Sequence, residues 1–200
     1  MNKKGNRFYS LGDHDALDAQ SFKNLVLEAQ QGSEGAFARV YALCIAPIYR
    51  FVYLRVKRKE EAEELTQTIF MKAWSALRTF EEQGKPFLSW LYTIARNTVI
   101  DHWKKKKEIH IEAQEEYFAN IEDIAPTPAE TIARKENAQR IRVAIQRLSE
   151  DQQEIVILKY IEDLSNKEIS AITGKSEDAI RQTQFRAFKI LKSYFKNQDL

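Results

Sequence analysis

The 200-residue sequence contains little cysteine, glycine or proline: one cysteine, six glycines and four prolines. The single cysteine, Cys44, excludes a disulfide within the chain and indicates a reducing, cytoplasmic setting. Because residues that break helices are few and alternating β-branched runs are nearly missing, we expect a chain built almost entirely of helices. No apolar run approaches the roughly 20 residues that a membrane-spanning helix needs, so no membrane insertion is expected.

The sequence also lacks the residue clusters on which enzymes and metal sites depend. Its glycines are scattered, so there is no glycine-rich phosphate loop, and its three histidines and Cys44 do not have metal-ligand spacing. The one dense group of carboxylates, residues 60–64, falls where the first turn of a helix favours acidic side chains. We therefore predict no catalytic residue, no metal site, no cofactor and no enzymatic activity.

Charge is unevenly distributed along the chain, although the formal net charge is only +2. Residues 108–130 hold seven acidic side chains, no lysine or arginine, and the pair Pro126 and Pro128, a composition typical of a flexible linker. Residues 1–20 begin with basic residues but have no apolar core after them, which predicts a flexible tail rather than a signal peptide. The expected architecture is all-α, with two small helical domains, residues 21–107 and 131–200, joined by the acidic linker.

Hydrophobic periodicity and capping residues predict eight helices. The expected ranges are residues 21–30, 34–57, 59–77, 85–107, 131–148, 150–161, 166–173 and a last helix that begins after Ser176. In the second helix Tyr41 is expected among the buried side chains, and in the last helix Ile190 is expected on the inner face.

Residues 85–107 combine aromatic rings with cations on one predicted helix. Six lysines and arginines stand against one carboxylate, Asp101, and Trp90, Tyr92 and Trp103 supply flat rings. Rings that stack on unpaired bases, beside cations that follow the phosphates, are how proteins hold single-stranded nucleic acid. The alternative is a core helix with a solvated lysine tail, because aromatic residues at helical spacing usually face a core.

The C-terminal third has the pattern of a helix-turn-helix. Ser165 and Glu168 have the spacing of a capping box, and Gly174 stands where a helix needs a left-handed residue to end. The helix after Ser176 carries five basic and two acidic residues up to Lys196. A capped helix, a glycine turn and a basic second helix is the geometry that places a recognition helix in the major groove, where Arg and Gln read guanine and adenine. An ordinary helical hairpin with a charged surface is the alternative.

The chain resembles bacterial RNA polymerase sigma factors of the extracytoplasmic-function type, which have only the second and fourth conserved sigma regions. The resemblance covers about residues 22–107 and 131–196. It is carried by four strings in family order: GSEGAFARVY, EEAEELTQTIFMKAW, FLSWLYTIARNTVIDHWKKKK and LSEDQQEIVILKYIEDLSNKEISAITGKSEDAIRQTQFRAFKIL. It implies that residues 21–107 form sigma region 2 and that residues 131–200 form sigma region 4.

Roles for individual residues follow from the same resemblance. In the family, the helix with the EELTQTIF string docks on core polymerase, which indicates Glu64, Leu65, Gln67 and Phe70. The minus-ten element is handled by positions that correspond here to Lys85, Trp90, Arg96, Asn97, Lys104 and Lys105, and Trp90 could equally be a core residue. The face that reads the minus-thirty-five element corresponds to Arg181, Gln182, Gln184, Phe185, Arg186 and Lys189.

The expected function is that of a sigma factor: it binds core RNA polymerase, recognises the minus-thirty-five element of promoter DNA and melts the minus-ten element. The alternative is a stand-alone helix-turn-helix regulator with an N-terminal interaction domain. Such a regulator has no reason to carry the block from EELTQTIF to IDHWKKKK, so binding to core polymerase without DNA distinguishes the two. Many relatives are held by an anti-sigma factor, although no residue here identifies one, or the promoter sequence.

Overall fold

The structure, a computed structural model, describes residues 18–56, 58–81, 86–110 and 130–196. Their order is α1 Ala19–Gln30, α2 Glu34–Tyr53, α3 Lys59–Leu77, α4 Phe87–His110, α5 Glu130–Gln146, α6 Glu150–Val156, a π-helical turn Ile157–Ile161, α7 Asn166–Thr173 and α8 Glu177–Lys196. The described residues include no strand. The predicted all-α fold is therefore confirmed, whereas the predicted tail up to residue 17 and most of the predicted linker lie outside the described residues.

Short polar side chains begin the helices of the N-terminal half. Asp18 caps α1 by accepting a hydrogen bond from the Ser21 amide at 2.7 Å, and Ser33 caps α2 by accepting one from the Ala36 amide at 3.2 Å. Between the two helices, Gly32 has a φ of 95°, a conformation that glycine adopts without steric cost. Helix α3 has the predicted bounds, but α2 ends at Tyr53 rather than at the predicted residue 57.

Two apolar side chains are more exposed than their periodicity predicts. Tyr41 was expected in the core, but it is 39% exposed and packs edge-on against the Phe70 ring, with 4.6 Å between centroids. Ile190 was expected on the inner face of α8, but it is exposed as well. In both cases the periodicity gives the correct face of the helix only approximately, because it does not say how far the neighbouring helix extends.

The C-terminal half is built from shorter capped helices. Ser149 and Gln152 form a capping box at the start of α6. Residues 150–161 were predicted as one α-helix, but the last five of them form the π-helical turn. A π-helical turn widens the helix by one residue and so changes the direction in which later side chains point.

The two halves pack against each other. Helix α4 lies against α7, and one continuous set of buried apolar side chains includes both Leu91 of α4 and Ile169 of α7. A second, smaller apolar cluster joins α6 to α8 through Val156 and Ala187. Tertiary contact between the halves is therefore part of the structure of this chain.

Helix α2 is long and apolar enough to cross a membrane by length and composition alone. The expectation that no segment reaches that length is therefore wrong for α2. Several of its side chains, among them Cys44, Ile48 and Phe51, are nevertheless fully buried in the protein core. A core helix passes the same test of length and composition, so the observation is weak support for a membrane span.

Candidate nucleic-acid and protein interfaces

Helix α3 exposes a polar stripe on the side that faces away from the core. Glu64 and Gln67 are exposed, whereas Leu65 and Phe70 are buried. Of the four side chains predicted to dock on a protein partner, the structure therefore places two at the surface and two beneath it. The buried pair can fix the position of the helix, and the exposed pair can contact a partner directly.

Two apolar residues that the sequence analysis did not single out extend this stripe. Met71 is 71% exposed, and Trp74, also exposed, has its ring 4.5 Å from that of Phe37. Their spacing from Glu64 and Gln67 follows the three- and four-residue steps of one helix face. We call Glu64, Gln67, Met71 and Trp74 the α3 stripe. Exposed Met and Trp side chains beside polar ones are typical of protein-binding surfaces.

Trp90 of α4 belongs to a packed aromatic cluster. Its ring centroid is 4.9 Å from that of Phe80 and 5.3 Å from that of Phe87, and Phe87 in turn contacts Phe22 of α1. This cluster joins α1, the end of α3 and the start of α4. Of the two interpretations of Trp90, the packing favours the core role, because one ring face is covered by its neighbours.

Farther along α4, polar side chains differ in how far they are engaged. Arg96 lies beside the buried Glu154 carboxylate, with Nε 3.0 Å from Oε1, and its Nη1 donates to the Asn97 side chain at 3.4 Å. Asn97 itself is exposed, as are Lys104 and Lys105. Lys85 lies outside the described residues. The candidate strand-binding face therefore offers Asn97 and two lysines freely, while Arg96 is occupied.

The helix-turn-helix has the local geometry that its sequence predicts. The Ser165 amide donates to Glu168 Oε2 at 2.8 Å, and the Ser165 hydroxyl accepts from the Glu168 amide at 3.3 Å. Gly174 ends α7 with a φ of 72°. Ser176 then caps α8 by accepting from the Ala179 amide at 3.2 Å. These contacts fix α8 relative to α7.

The outer face of α8 is open to solvent. Arg181, Gln182, Phe185 and Arg186 line a shallow, open concavity, and Phe185 is 62% exposed. The Lys189 ammonium lies 4.7 Å from the centre of the Phe185 ring. Five of the six side chains predicted to contact DNA are therefore exposed together on one face.

Two contacts restrain this face. Arg181 donates to Asp178 at 2.6 Å, and this hydrogen bond raises the pKa of the guanidinium above its usual value. Gln184, the sixth predicted side chain, donates to Asn166 of α7 at 3.0 Å and is only partly exposed. A guanine or phosphate would have to replace the Asp178 carboxylate at Arg181.

Other reactive groups do not assemble into a site in the described part of the chain. No group of three or more histidine, cysteine or acidic side chains there could hold a metal ion. Cys44 is fully buried, and burial raises the pKa of its thiol to about 12. The thiolate, which is the reactive form, is therefore scarce at neutral pH.

Two family models match the chain in the order of its two halves. The model of Sigma-70 region 2 matches residues 40–109, and that of Sigma-70 region 4 matches residues 138–191. The ECF RNA polymerase sigma factor BldN of Streptomyces coelicolor is 34% identical over 174 residues, which span 87% of this chain and 66% of BldN. The ECF RNA polymerase sigma factor SigM of Bacillus subtilis is 30% identical over 158 residues, 78% of this chain and 93% of SigM.

Solved structures have the same architecture. The sigma factor RpoE, in complex with the anti-sigma factor NepR from Bartonella quintana, superposes with a TM-score of 0.65 at 27% identity and covers 80% of this chain and 96% of that one. CnrH in complex with the cytosolic domain of CnrY gives a TM-score of 0.67 at 22% identity and covers 88% of this chain and 97% of that one, which shows a shared fold.

Proposed function

The chain belongs to the extracytoplasmic-function family of RNA polymerase sigma factors, and we propose that three of its surfaces divide the work of that function. As a sigma factor it binds core RNA polymerase and directs it to promoters. The α3 stripe docks on core polymerase, α4 holds the melted minus-ten strand, and α8 reads the minus-thirty-five element. We assign region 2 to residues 21–107, region 4 to residues 131–200 and the linker to residues 108–130.

One observation carries this assignment: both sigma regions occur in one chain, in family order, and each presents an exposed face of the required chemistry. A stand-alone helix-turn-helix regulator would need only the second of them. The match to region 2 over residues 40–109 includes α3 and nearly all of α4, so the regulator is not favoured.

At the minus-ten element, Asn97, Lys104 and Lys105 make the first contacts, because they are exposed on α4. Arg96 joins them once Glu154 has moved away, and Lys85 completes the set. Trp90 supports this surface through the aromatic cluster with Phe80 and Phe87.

At the minus-thirty-five element, the N-terminal end of α8 enters the major groove, as recognition helices do. Arg181 and Gln182 contact base edges, and Gln184 stays close to them through its bond to Asn166. Arg186 and Lys189 contact phosphates, and Phe185 packs against a thymine methyl or a sugar. These are exposed side chains on one face, so no rearrangement within region 4 is needed.

Three further statements complete the proposal. The chain works in the cytoplasm and contributes no catalytic group of its own, so the chemistry belongs to the polymerase. An anti-sigma factor is a further partner, by analogy with the complex of RpoE and NepR.

In vitro transcription tests the proposed function. The purified chain, core polymerase and a genomic library should give transcripts that start at discrete sites, and upstream of those sites two short shared elements should occur at constant spacing. Core polymerase alone is the control. Transcripts at the same sites without the chain, or no binding between the chain and core polymerase, would refute the proposal and favour a stand-alone regulator.

A further inference from the structure

Two carboxylates of the C-terminal half are buried against arginines of the N-terminal half. The Glu154 side chain of α6 is 1% exposed and lies between Arg55 and Arg96, with oxygen–nitrogen distances of 3.3 and 3.0 Å. Arg55 also lies over the rings of Phe51 and Trp103, and burial lowers the pKa of its guanidinium to about 10. One carboxylate thus balances two cations in a largely dehydrated place.

The second carboxylate lies at the end of the π-helical turn. Glu162 accepts two hydrogen bonds from Arg50, each of 2.7 Å, in a fork-to-fork arrangement, and a third from the Tyr92 hydroxyl at 3.0 Å. Its side chain is 3% exposed. Bidentate pairs of this kind are the stronger ones, since both oxygens meet charged donors in a fixed geometry.

A third contact comes from α5. The Arg142 guanidinium lies 3.9 Å from the centre of the Tyr53 ring, donates to the Tyr53 hydroxyl at 2.7 Å and donates to the Val56 carbonyl at 3.1 Å. Together with Glu154 and Glu162, it fastens the C-terminal half onto the end of α2 and the middle of α4. We call Glu154, Glu162 and their arginine partners Arg50, Arg55 and Arg96 the carboxylate latch.

This closed arrangement is incompatible with binding to both promoter elements at once. The elements lie about 25 base pairs apart, which is about 85 Å along the duplex at 3.4 Å per pair. A compact chain of this length has a radius of gyration of about 16 Å and is therefore only about 45 Å across. The carboxylate latch also covers Arg96, one of the proposed contacts to the minus-ten strand.

We propose that the carboxylate latch holds the free sigma factor in a closed, DNA-incompetent state, and that it must open before the promoter is engaged. The α3 stripe stays exposed while the carboxylate latch is closed, so core polymerase can dock first. Removing one partner of a buried ion pair leaves the other charge uncompensated, and the closed state should therefore be sensitive to either carboxylate. The inference rests on the proposed function, whose regulation it describes.

The experiment uses the full chain with fluorophores on Ser75→Cys in α3 and Ser193→Cys in α8. The native Cys44 is buried and should not be labelled. The latch variant is Glu154→Gln with Glu162→Gln, and the matched control is Glu28→Gln with Asp151→Asn, which removes the same charge from exposed positions. A second measurement is binding of a labelled, mixed-sequence single-stranded DNA of 12 nucleotides, about the length that one small binding domain covers.

We expect lower energy transfer for the latch variant and DNA binding at least about tenfold tighter, because apparent affinity scales with the open fraction. The control should match the parent chain in both. Arg50→Glu should open the chain, and adding Glu162→Arg should close it again by restoring the pair in reverse. Unchanged energy transfer in the latch variant, or opening without tighter DNA binding, would overturn the proposal. Failure of the parent chain to bind core polymerase would instead count against the proposed function alone.

Discussion

Helices α4 and α8 both combine aromatic and basic residues, yet they present them in different ways. On α4, Trp90 is packed into an aromatic cluster and Arg96 is paired with Glu154. Lys106 is paired too, with Glu61 at 2.7 Å. On α8, Phe185 and Arg186 project into solvent, and Arg181 contacts only acidic residues of its own first turn.

The difference follows from what each helix packs against. Helix α4 lies between the rest of region 2 and α7, so its side chains meet partners from both halves of the chain. Helix α8 packs on α6 and α7 with one face and leaves the other uncovered. A pattern of rings and cations therefore identifies a nucleic-acid-binding helix in both cases, but only packing says whether the surface is available in the free protein.

The largest expected difference between the two helices concerns stability. Trp90→Ala should lower the free energy of unfolding by about 3 kcal/mol, because it leaves a cavity in the aromatic cluster. Phe185→Ala should change it by no more than about 0.5 kcal/mol, because the ring is exposed. Urea unfolding followed by circular dichroism measures both, with Trp90→Phe as a conservative control. Equal stabilities for both alanine variants would mean that Trp90 serves the DNA strand and not the core.

The α3 stripe provides a surface that is open like α8 but faces a protein. Glu64→Ala with Gln67→Ala should weaken binding to core polymerase by about 1 to 3 kcal/mol if these side chains lie at the centre of the contact. Glu28→Ala, on an exposed face of α1, is the control for a lost charge. Titration of labelled chain with core polymerase measures the affinity, and unaltered circular dichroism establishes that the fold is intact. A variant with the affinity of the parent chain would place the docking surface elsewhere.

At α8, the comparison predicts direct sequence reading by an already exposed arginine. Arg181→Ala should cost about 2 kcal/mol of binding to the minus-thirty-five element and relax specificity at one or two base pairs. The cost should stay in that range because DNA must first displace Asp178 from the guanidinium. Selection of promoter variants with the mutant holoenzyme gives the specificity. Retention of the full base preference would mean that α8 is rotated in the groove.

At α4, the comparison predicts an effect that begins only after strand separation. Asn97→Ala should reduce open-complex formation by about 1 kcal/mol while binding to duplex promoter stays the same, since an unstacked base is contacted only outside the duplex. Permanganate reactivity of the minus-ten thymines measures the effect. Thr93→Ala, one turn earlier on α4, is a control. Reactivity in the Asn97 variant equal to that of the parent chain would remove Asn97 from the strand-binding surface.

The smallest expected effect distinguishes phosphate contacts from base contacts on α8. Lys189→Ala should weaken binding to all sequences alike and lower the slope of log affinity against log salt by about one unit. Measurements at several salt concentrations, on the preferred and on a scrambled element, give both quantities. A change in the preferred sequence would instead identify Lys189 as a base-reading residue.

Local physical chemistry explains why much of the fold could be predicted from the sequence. The bounds of α3 and α7 follow from capping residues, acidic first turns and a glycine in a left-handed conformation. The exposed face of α8 follows from 3.6-residue periodicity, since a helix that packs on one side must expose the other. The four strings that resemble sigma factors are local in the same sense, and the matches to regions 2 and 4 confirm the family they indicated.

What local patterns could not supply is contact between residues far apart in the chain. The pairing of Arg96 with Glu154 joins positions separated by 58 residues and that of Arg50 with Glu162 positions separated by 112. No periodicity links such positions, because they meet only when α4 packs against the C-terminal half. The sequence by itself therefore determined the helices, their caps and the family. The tertiary structure decided which of the basic side chains are already occupied, because an ion pair depends on distance in space and not on separation along the chain.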